Sequence, residues 1–345
     1  MHARARAPGV VKLLGEHAVL YGATSLAVAV GLYASADLSE GGGSGLRITL
    51  QDLGYSREFS AQELREQLAA YRLASGSDAG LGAYAGNARI DSTKALGYAI
   101  IAGRMQEDHG ADLGGTEVKI SSEIPRGSGC ASSAACFTAF ATALASTLKS
   151  KLDDQTIIDI ARDGERVTHK MTKAGGIDVS TSYLGGFVTS GNGKHNRLDV
   201  RTRPPLLLMN TGPKRETWEM IAHVARLKNE DPENTDPIIR EVGERSESGI
   251  AALLRDDLPA LGREMTRTHG AFKRLGISTP RLDEAVEIAL ENEAYGAKLS
   301  GGGGGGVAVA IMPEGPVDAE LKDRGFEALR PGISELGARD LLAKD

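Results

Sequence analysis

Residues 123–140 read EIPRGSGCASSAACFTAF: a proline, a turn of small residues, then an apolar run at helical spacing. Gly127, Ser128, Gly129, Ser132 and Ser133 crowd the point where a strand over 115–124 gives way to a helix over 131–149, in which Ala134, Phe137, Ala141, Leu144 and Leu148 recur. Glycine loses the most conformational freedom on folding, so such a concentration needs a reason. One reason is close approach of an anion. The first turn of a helix carries unpaired N–H groups and the positive end of the helix dipole, and a loop without side chains lets a phosphate reach them. The other is a tight turn with small residues for packing. The pattern is neither a P-loop, which ends in Gly-Lys-Ser/Thr, nor G-x-G-x-x-G.

Two further segments carry the same tension between chemistry and structure. In residues 7–22, APGVVKLLGEHAVLYG, Lys12 stands inside an apolar strand, with Glu16 and His17 at its end. A lysine among Val10, Val11, Leu13 and Leu14 is costly to bury unless it meets an anion, and otherwise marks an edge strand with the ammonium in water. In residues 296–312, GAKLSGGGGGGVAVAIM, six glycines abut an apolar strand. A flexible linker would sit in a polar context, whereas a buried neighbour favours close backbone approach to a ligand or to another loop.

The bulk numbers narrow the field. There are 44 glycines among 345 residues, and the formal net charge of −6 argues against a general nucleic-acid binder. No apolar run reaches the ~20 residues of a membrane span, no signal peptide follows the basic start, and a cytoplasmic protein with no membrane partner is expected. The two cysteines, Cys130 and Cys136, share one helical segment, and no Cys/His spacing suggests zinc.

Periodicity predicts a strand over 3–14, a strand pair over 24–39, a hairpin over 46–59, and helices over 61–73, 92–107 (capped by Asp91 or Ser92) and 155–170 (capped by Asp153 or Asp154). Residues 74–90 read as a polar, glycine-rich loop, and a second loop runs from the 155–170 helix to Asp178. A hairpin turning at 190–193 precedes Pro204-Pro205, after which come a strand, several amphipathic helices over 217–293, the glycine run and a strand over 307–312. The fold class is α+β.

Together the three glycine-bearing segments resemble the motifs of the GHMP kinase superfamily, in its mevalonate kinase branch. Ala7, Pro8, Gly9, Leu13, Gly15, Glu16, His17, Ala18, Val19, Tyr21 and Gly22 are similar to A-P-G-K-x-x-L-x-G-E-H-A-V-V-Y-G. Pro125, Gly127, Gly129, Ser132, Ser133 and Ala134 follow P-x-G-x-G-L-G-S-S-A, and Gly296, Ala297, Lys298, Gly301 and Gly303 to Gly306 follow G-A-K-x-T-G-A-G-G-G-G. The motifs occur in order at fitting distances, so the resemblance spans essentially the whole chain. It implies two domains, a ribosomal-S5-like one over 1–190 and a ferredoxin-like one over 191–345, with ATP and an acceptor alcohol meeting in the cleft between them. A monomer or homodimer is expected.

The resemblance also implies roles. Residues Pro125, Arg126, Gly127, Ser128, Gly129, Cys130, Ala131, Ser132 and Ser133 would hold ATP, and Gly301, Gly302, Gly303 and Gly304 form the third glycine motif of the site. Ser133 and Glu165 would hold Mg²⁺, which takes few protein oxygens and keeps several waters. Asp178 would be the general base or charge anchor, Glu16 and His17 would orient the acceptor, mevalonate, or the strand end, and Thr181 would hydrogen-bond the acceptor. Phosphomevalonate kinase, a related decarboxylase and a non-catalytic sensor are the alternatives.

The chain departs from the pattern at two places. Val10 stands where the family has its lysine, and Lys12, two residues on and on the same strand face, is similar in offset to the decarboxylases' lysine. Lys12 is expected to pair with Asp178 or the acceptor oxygen. Cys130-Ala131 replaces Leu-Gly, and a Cβ at position 131 demands a backbone with negative φ there. His269 is expected to pack beside the cleft.

Overall fold

The computed structural model describes residues 2–87, 95–125, 128–174, 176–212 and 217–342. Two sheets, each covered by helices, organise the chain. The first is built on β1 (Ala3–Leu14) and β2 (Ser25–Glu40), which run antiparallel. β2 is one long strand and not the expected pair. Its register against β1 jumps between Pro8/Tyr33 and Gly9/Val30, a bulge that bends the ribbon. Beyond the bulge β2 changes partner: residues 34–40 pair with β5 (Thr116–Ser122) and residues 25–28 with β6 (Phe187–Gly191). The break in alternation therefore marks a bend and not a turn.

β3 (Leu46–Leu50) and β4 (Tyr55–Phe59) form the expected hairpin, with β3 parallel to β5. β6 and β7 (Lys194–Leu198) close over Asn192-Gly193, both at positive φ, the combination that a two-residue hairpin turn requires. Ser190 pairs with His195, so a division at residue 190 would cut this hairpin. The sheets separate instead between Leu198 and Leu206.

Helices α1 (Ala61–Ala74), α2 (Asp78–Asn87), α3 (Leu96–His109), α4 (Ser132–Ala145), α5 (Asp154–His169) and α6 (Gly176–Leu184) pack with this sheet. Ser60 and Asp153 cap α1 and α5 by accepting from Glu63 and Thr156 N–H groups. Two expected loops are helices: α2 occupies most of 74–90, and α6 carries Asp178 in its first turn. Small residues lowered the helical signal in both. The proposed caps Asp91 and Ser92 lie outside the described residues.

The second sheet is antiparallel in the order β11 (Glu327–Leu329), β8 (Leu206–Asn210), β10 (Val307–Ile311), β9 (Gly296–Ser300). Counted within this unit the order is 4-1-3-2, the ferredoxin-like arrangement. Helices α7 (Thr217–Glu230), α8 (Pro232–Leu254), α9 (Leu258–Arg274), α10 (Pro280–Glu291) and α11 (Val317–Asp323) complete it. Asp231, Asp257 and Thr279 cap α8 to α10, each with proline in the first turn. The chain then returns: β12 (Arg339–Asp340) pairs with β1.

The two units share buried apolar contacts. Val11, Leu13 and Leu26 of the first sheet lie in one cluster with Leu208 and Val307 of the second and Met265 of α9. Burying apolar surface at the seam, at roughly 25 cal/mol per Å², makes the walls of the cleft beside it a fixed frame. No helix among the described residues is long and apolar enough to cross a membrane.

Candidate active site

Where the seam opens, a cleft of about 740 Å³ lies between the units, within the usual range for small-molecule sites. The three glycine-bearing segments all reach it. Lys12, on β1, extends to the first turn of α6, where its Nζ lies 2.7 Å from Asp178 Oδ1 and 2.8 Å from Oδ2. Burial alone would lower the Lys12 pKa, but Asp178, then Glu16 and Glu165, outweigh it and hold the group above the ordinary lysine value. Lys12 is thus a fixed cation and not a proton acceptor, and it is half-buried rather than in water.

α5 presents Glu165 to the same cleft. Gly164 makes this possible, since a Cβ there would meet the Phe137 ring of α4 at 2.8 Å. Asp163 anchors the opposite side of α5, accepting from Tyr71 at 2.6 Å and from Arg104 and Arg166 at 2.8 Å. Burial raises the Glu165 pKa, but His169, whose Nε2 lies 3.3 Å from Oε2, the adjacent Ser133 hydroxyl and Lys12 hold it below the usual carboxylate range. Glu165 Oε1 is buried without a hydrogen-bond partner. An ionised carboxylate with one unsatisfied oxygen, beside a serine hydroxyl, fits a hard divalent cation that takes its other ligands from phosphates and water.

In the glycine loop, Pro125, Ser128, Gly129, Cys130, Ala131, Ser132 and Ser133 line the cleft, while Arg126 and Gly127 lie outside the described residues. Gly129, at φ 69°, approaches Val307 so closely that a Cβ would lie 2.8 Å from its Cγ1. Cys130 O accepts from Val10 N–H at 3.0 Å, tying the loop to β1. The expectation of negative φ at Ala131 is overturned: it caps α4 in the left-handed region, at φ 52° and ψ 44°. The loop keeps the backbone shape that glycine favours and bears the strain of a Cβ, roughly 1–2 kcal/mol for an L-residue. Ala131→Gly should therefore raise stability by about 1 kcal/mol, read as a higher urea midpoint at unchanged slope. Ala131→Val should destabilise and raise the KM for ATP far more than that for the acceptor. An unchanged midpoint for Ala131→Gly would show that the loop holds no such strain.

Glu16 and His17 line the cleft, and their side chains engage the third glycine-bearing segment from the end of β1. Glu16 Oε1 accepts from the fully buried Lys298 ammonium and, at 3.3 Å, from Gly301 N–H. His17 Nε2–H donates to Gly302 O at 2.9 Å, while its buried Nδ1 has no hydrogen-bond partner; burial holds its pKa down, so it stays neutral. Ser300 completes the seam, accepting from Lys12 N–H at 3.1 Å and donating to Lys12 O at 3.0 Å.

Two expected residues do not face the cleft. Thr181, one turn beyond Asp178 on the same helix, is fully buried and is not among the lining residues. Gly304 also points away, its N–H donating to Ile277 O at 2.8 Å; Gly301, Gly302 and Gly303 do line the cleft. His269 packs behind β9, Nδ1 accepting from Leu299 N–H at 3.3 Å and Nε2–H donating to Asp283 at 3.1 Å, with burial lowering its pKa to about 4. Sequence reasoning missed Arg162 and His195, which line the cleft from α5 and β7. The residue at i−3 from Glu165 on a helix was the available signal for Arg162.

Comparison with known proteins agrees with this geometry. Residues 95–186 match the model of the GHMP kinases N terminal domain and residues 250–325 that of the GHMP kinases C terminal. The chain belongs to the GHMP kinase family. The mevalonate kinase of Thermococcus gammatolerans is 32% identical over 326 residues, spanning 91% of this chain and 90% of that protein. Among solved structures, the Methanococcus jannaschii mevalonate kinase superposes with a TM-score of 0.75 at 24% identity, over 96% of this chain and 98% of that one. Lactococcus lactis galactokinase complexed with galactose gives 0.74 at 16% identity, over 99% and 95%, so these two neighbours share the fold whatever alcohol each binds.

Proposed function

We propose that this protein transfers the terminal phosphoryl group of ATP to the hydroxyl of mevalonate, giving phosphomevalonate for isoprenoid synthesis. The observation that carries the reading is the Lys12–Asp178 pair set in one cleft with Glu165, Ser133 and the glycine loop. Phosphoryl transfer asks the protein mainly for positioning and charge neutralisation. The loop and the N-terminus of α4 offer backbone N–H groups to the phosphates. Ser133 and Glu165 would hold Mg²⁺, which when bound neutralises charge on the phosphate oxygens.

Asp178 accepts the acceptor's proton. A carboxylate, with an ordinary pKa of about 4, is a weak base for an alcohol, so proton loss must accompany bond formation or follow a lowering of the alcohol pKa. Lys12, cationic and touching both Asp178 oxygens, supplies that field where Val10 has none to offer. The non-catalytic alternative rested on the missing lysine at Val10, and this geometry removes its support.

Coupled ADP release measured with mevalonate, phosphomevalonate, galactose and homoserine tests the reading. We expect turnover with mevalonate at least tenfold above the others. Tight ATP binding without stimulation by any alcohol would refute it.

A further inference from the structure

Arg162 stands one helical turn before Glu165 on α5 and lines the cleft with an 18% exposed side chain. Its nearest carboxylate, Asp159, is 3.6 Å away, beyond hydrogen-bonding distance, and its buried Nε has no partner. Two other cations of the cleft are paired: Arg166 with Asp163 at 2.8 Å and Lys12 with Asp178. The imidazole of His195 arrives from β7 to the same spot. A Cβ placed on Gly176 would lie 3.4 Å from His195 Cε1 and 3.7 Å from Arg162 Nη2, so the two side chains converge over the start of α6. His195 Nδ1 is likewise buried and unpartnered. Burial, then the neighbouring Arg166, pushes the Arg162 guanidinium below the ordinary arginine value, and Asp159 and Asp163 offset this only in part. Lys173 adds a second, exposed cation at the rim of the cleft.

We infer that Arg162, with His195 beside it, forms the subsite that reads the carboxylate of the acceptor. Two placements favour a carboxylate of the acceptor over a phosphate of ATP. The backbone N–H groups offered to phosphates come from the loop before α4, whereas Arg162 and His195 come from α5 and β7. They meet at Gly176, two residues before Asp178, where the reacting hydroxyl belongs, so a hydroxy acid can span from one to the other. Arginine suits the task because its planar fork matches a carboxylate in two hydrogen bonds. This inference deepens the proposed mevalonate reading and rests on it.

The test compares mevalonate with 3-methylpentane-1,3,5-triol, in which the carboxylate is reduced to an alcohol. The wild-type protein should prefer mevalonate in kcat/KM by about 10²-fold or more, since a buried group left unpaired by the analogue penalises it. Arg162→Met should lower kcat/KM for mevalonate by about 10²-fold, leave the triol within roughly threefold, and leave the KM for ATP unchanged. Arg162→Lys, which keeps charge without the fork, should recover part of the loss and serves if the methionine variant fails to fold. Equal losses on both alcohols, or a raised KM for ATP, would overturn the assignment of Arg162. A wild-type protein that phosphorylates neither alcohol would instead overturn the mevalonate reading, and this inference with it.

Discussion

Asp178→Asn is expected to lower kcat by about 10³-fold, with little change in the KM for ATP. The substitution keeps the shape of the side chain in the first turn of α6 and removes both the proton acceptor and the counter-charge of Lys12. Lys12→Met should cost about 10²-fold in kcat, because a preorganised cation beside the developing alkoxide acts only as the transition state forms. The double variant should fall little below Asp178→Asn alone, since residues that act as one unit lose their effect together. These rates are read from single-turnover formation of the phosphorylated alcohol, with the thermal midpoint as a check on folding. Near-normal turnover in Lys12→Met alongside loss in Asp178→Asn would sink the pairing, and Lys12 would then be a structural cation.

That pairing shows how sequence and structure divide the information. The offset of Lys12 from the family lysine was visible, because side chains two apart on a strand share a face. Its partner was visible only as a candidate, since 166 residues separate Lys12 from Asp178 and spacing carries no distance at that range. Caps were legible where their chemistry is local, as at Asp153, whose side chain accepts from Thr156 N–H at 2.9 Å. α2 and α6 were not, because glycine, serine and threonine carry weak helical propensity and tertiary packing decides. Thr181 was placed in the site on proximity in sequence to Asp178, and it is fully buried there, since sharing a helix face does not fix how deep along that face a side chain lies. Ala131 failed differently: its Cβ argued for negative φ, yet the position is set by the approach of the loop to β1 and β10, through Cys130 O and Gly129. Local preference yields there to a geometry imposed from three segments at once.

The same dependence makes Glu16→Ala the substitution with the largest expected effect on stability. Glu16 ends β1, Lys298 stands on β9, and their buried pair joins the first and third glycine-bearing segments across the seam. Lys298 is 0% exposed, with the Phe272 ring 5.3 Å from its ammonium and Leu299 O as its other acceptor. Removing Glu16 leaves that charge without a counter-ion, a change that typically destabilises by about 3–5 kcal/mol. Lys298→Met leaves the Glu16 carboxylate with Gly301 N–H as its one hydrogen-bond donor among the described residues and should destabilise in the same sense. Glu16→Leu combined with Lys298→Met removes both charges at similar volume and should return to within ~1 kcal/mol of the wild type, so the two effects are strongly non-additive. Urea unfolding of the four proteins at one pH gives the coupling directly. The double variant should still bind ATP weakly, because Gly301 N–H loses its acceptor and the glycine run its register, even where the fold is restored. Additive losses would mean that the pair contributes no more than two independent side chains, and that Ser300, bonded in both directions to Lys12, holds the seam without it.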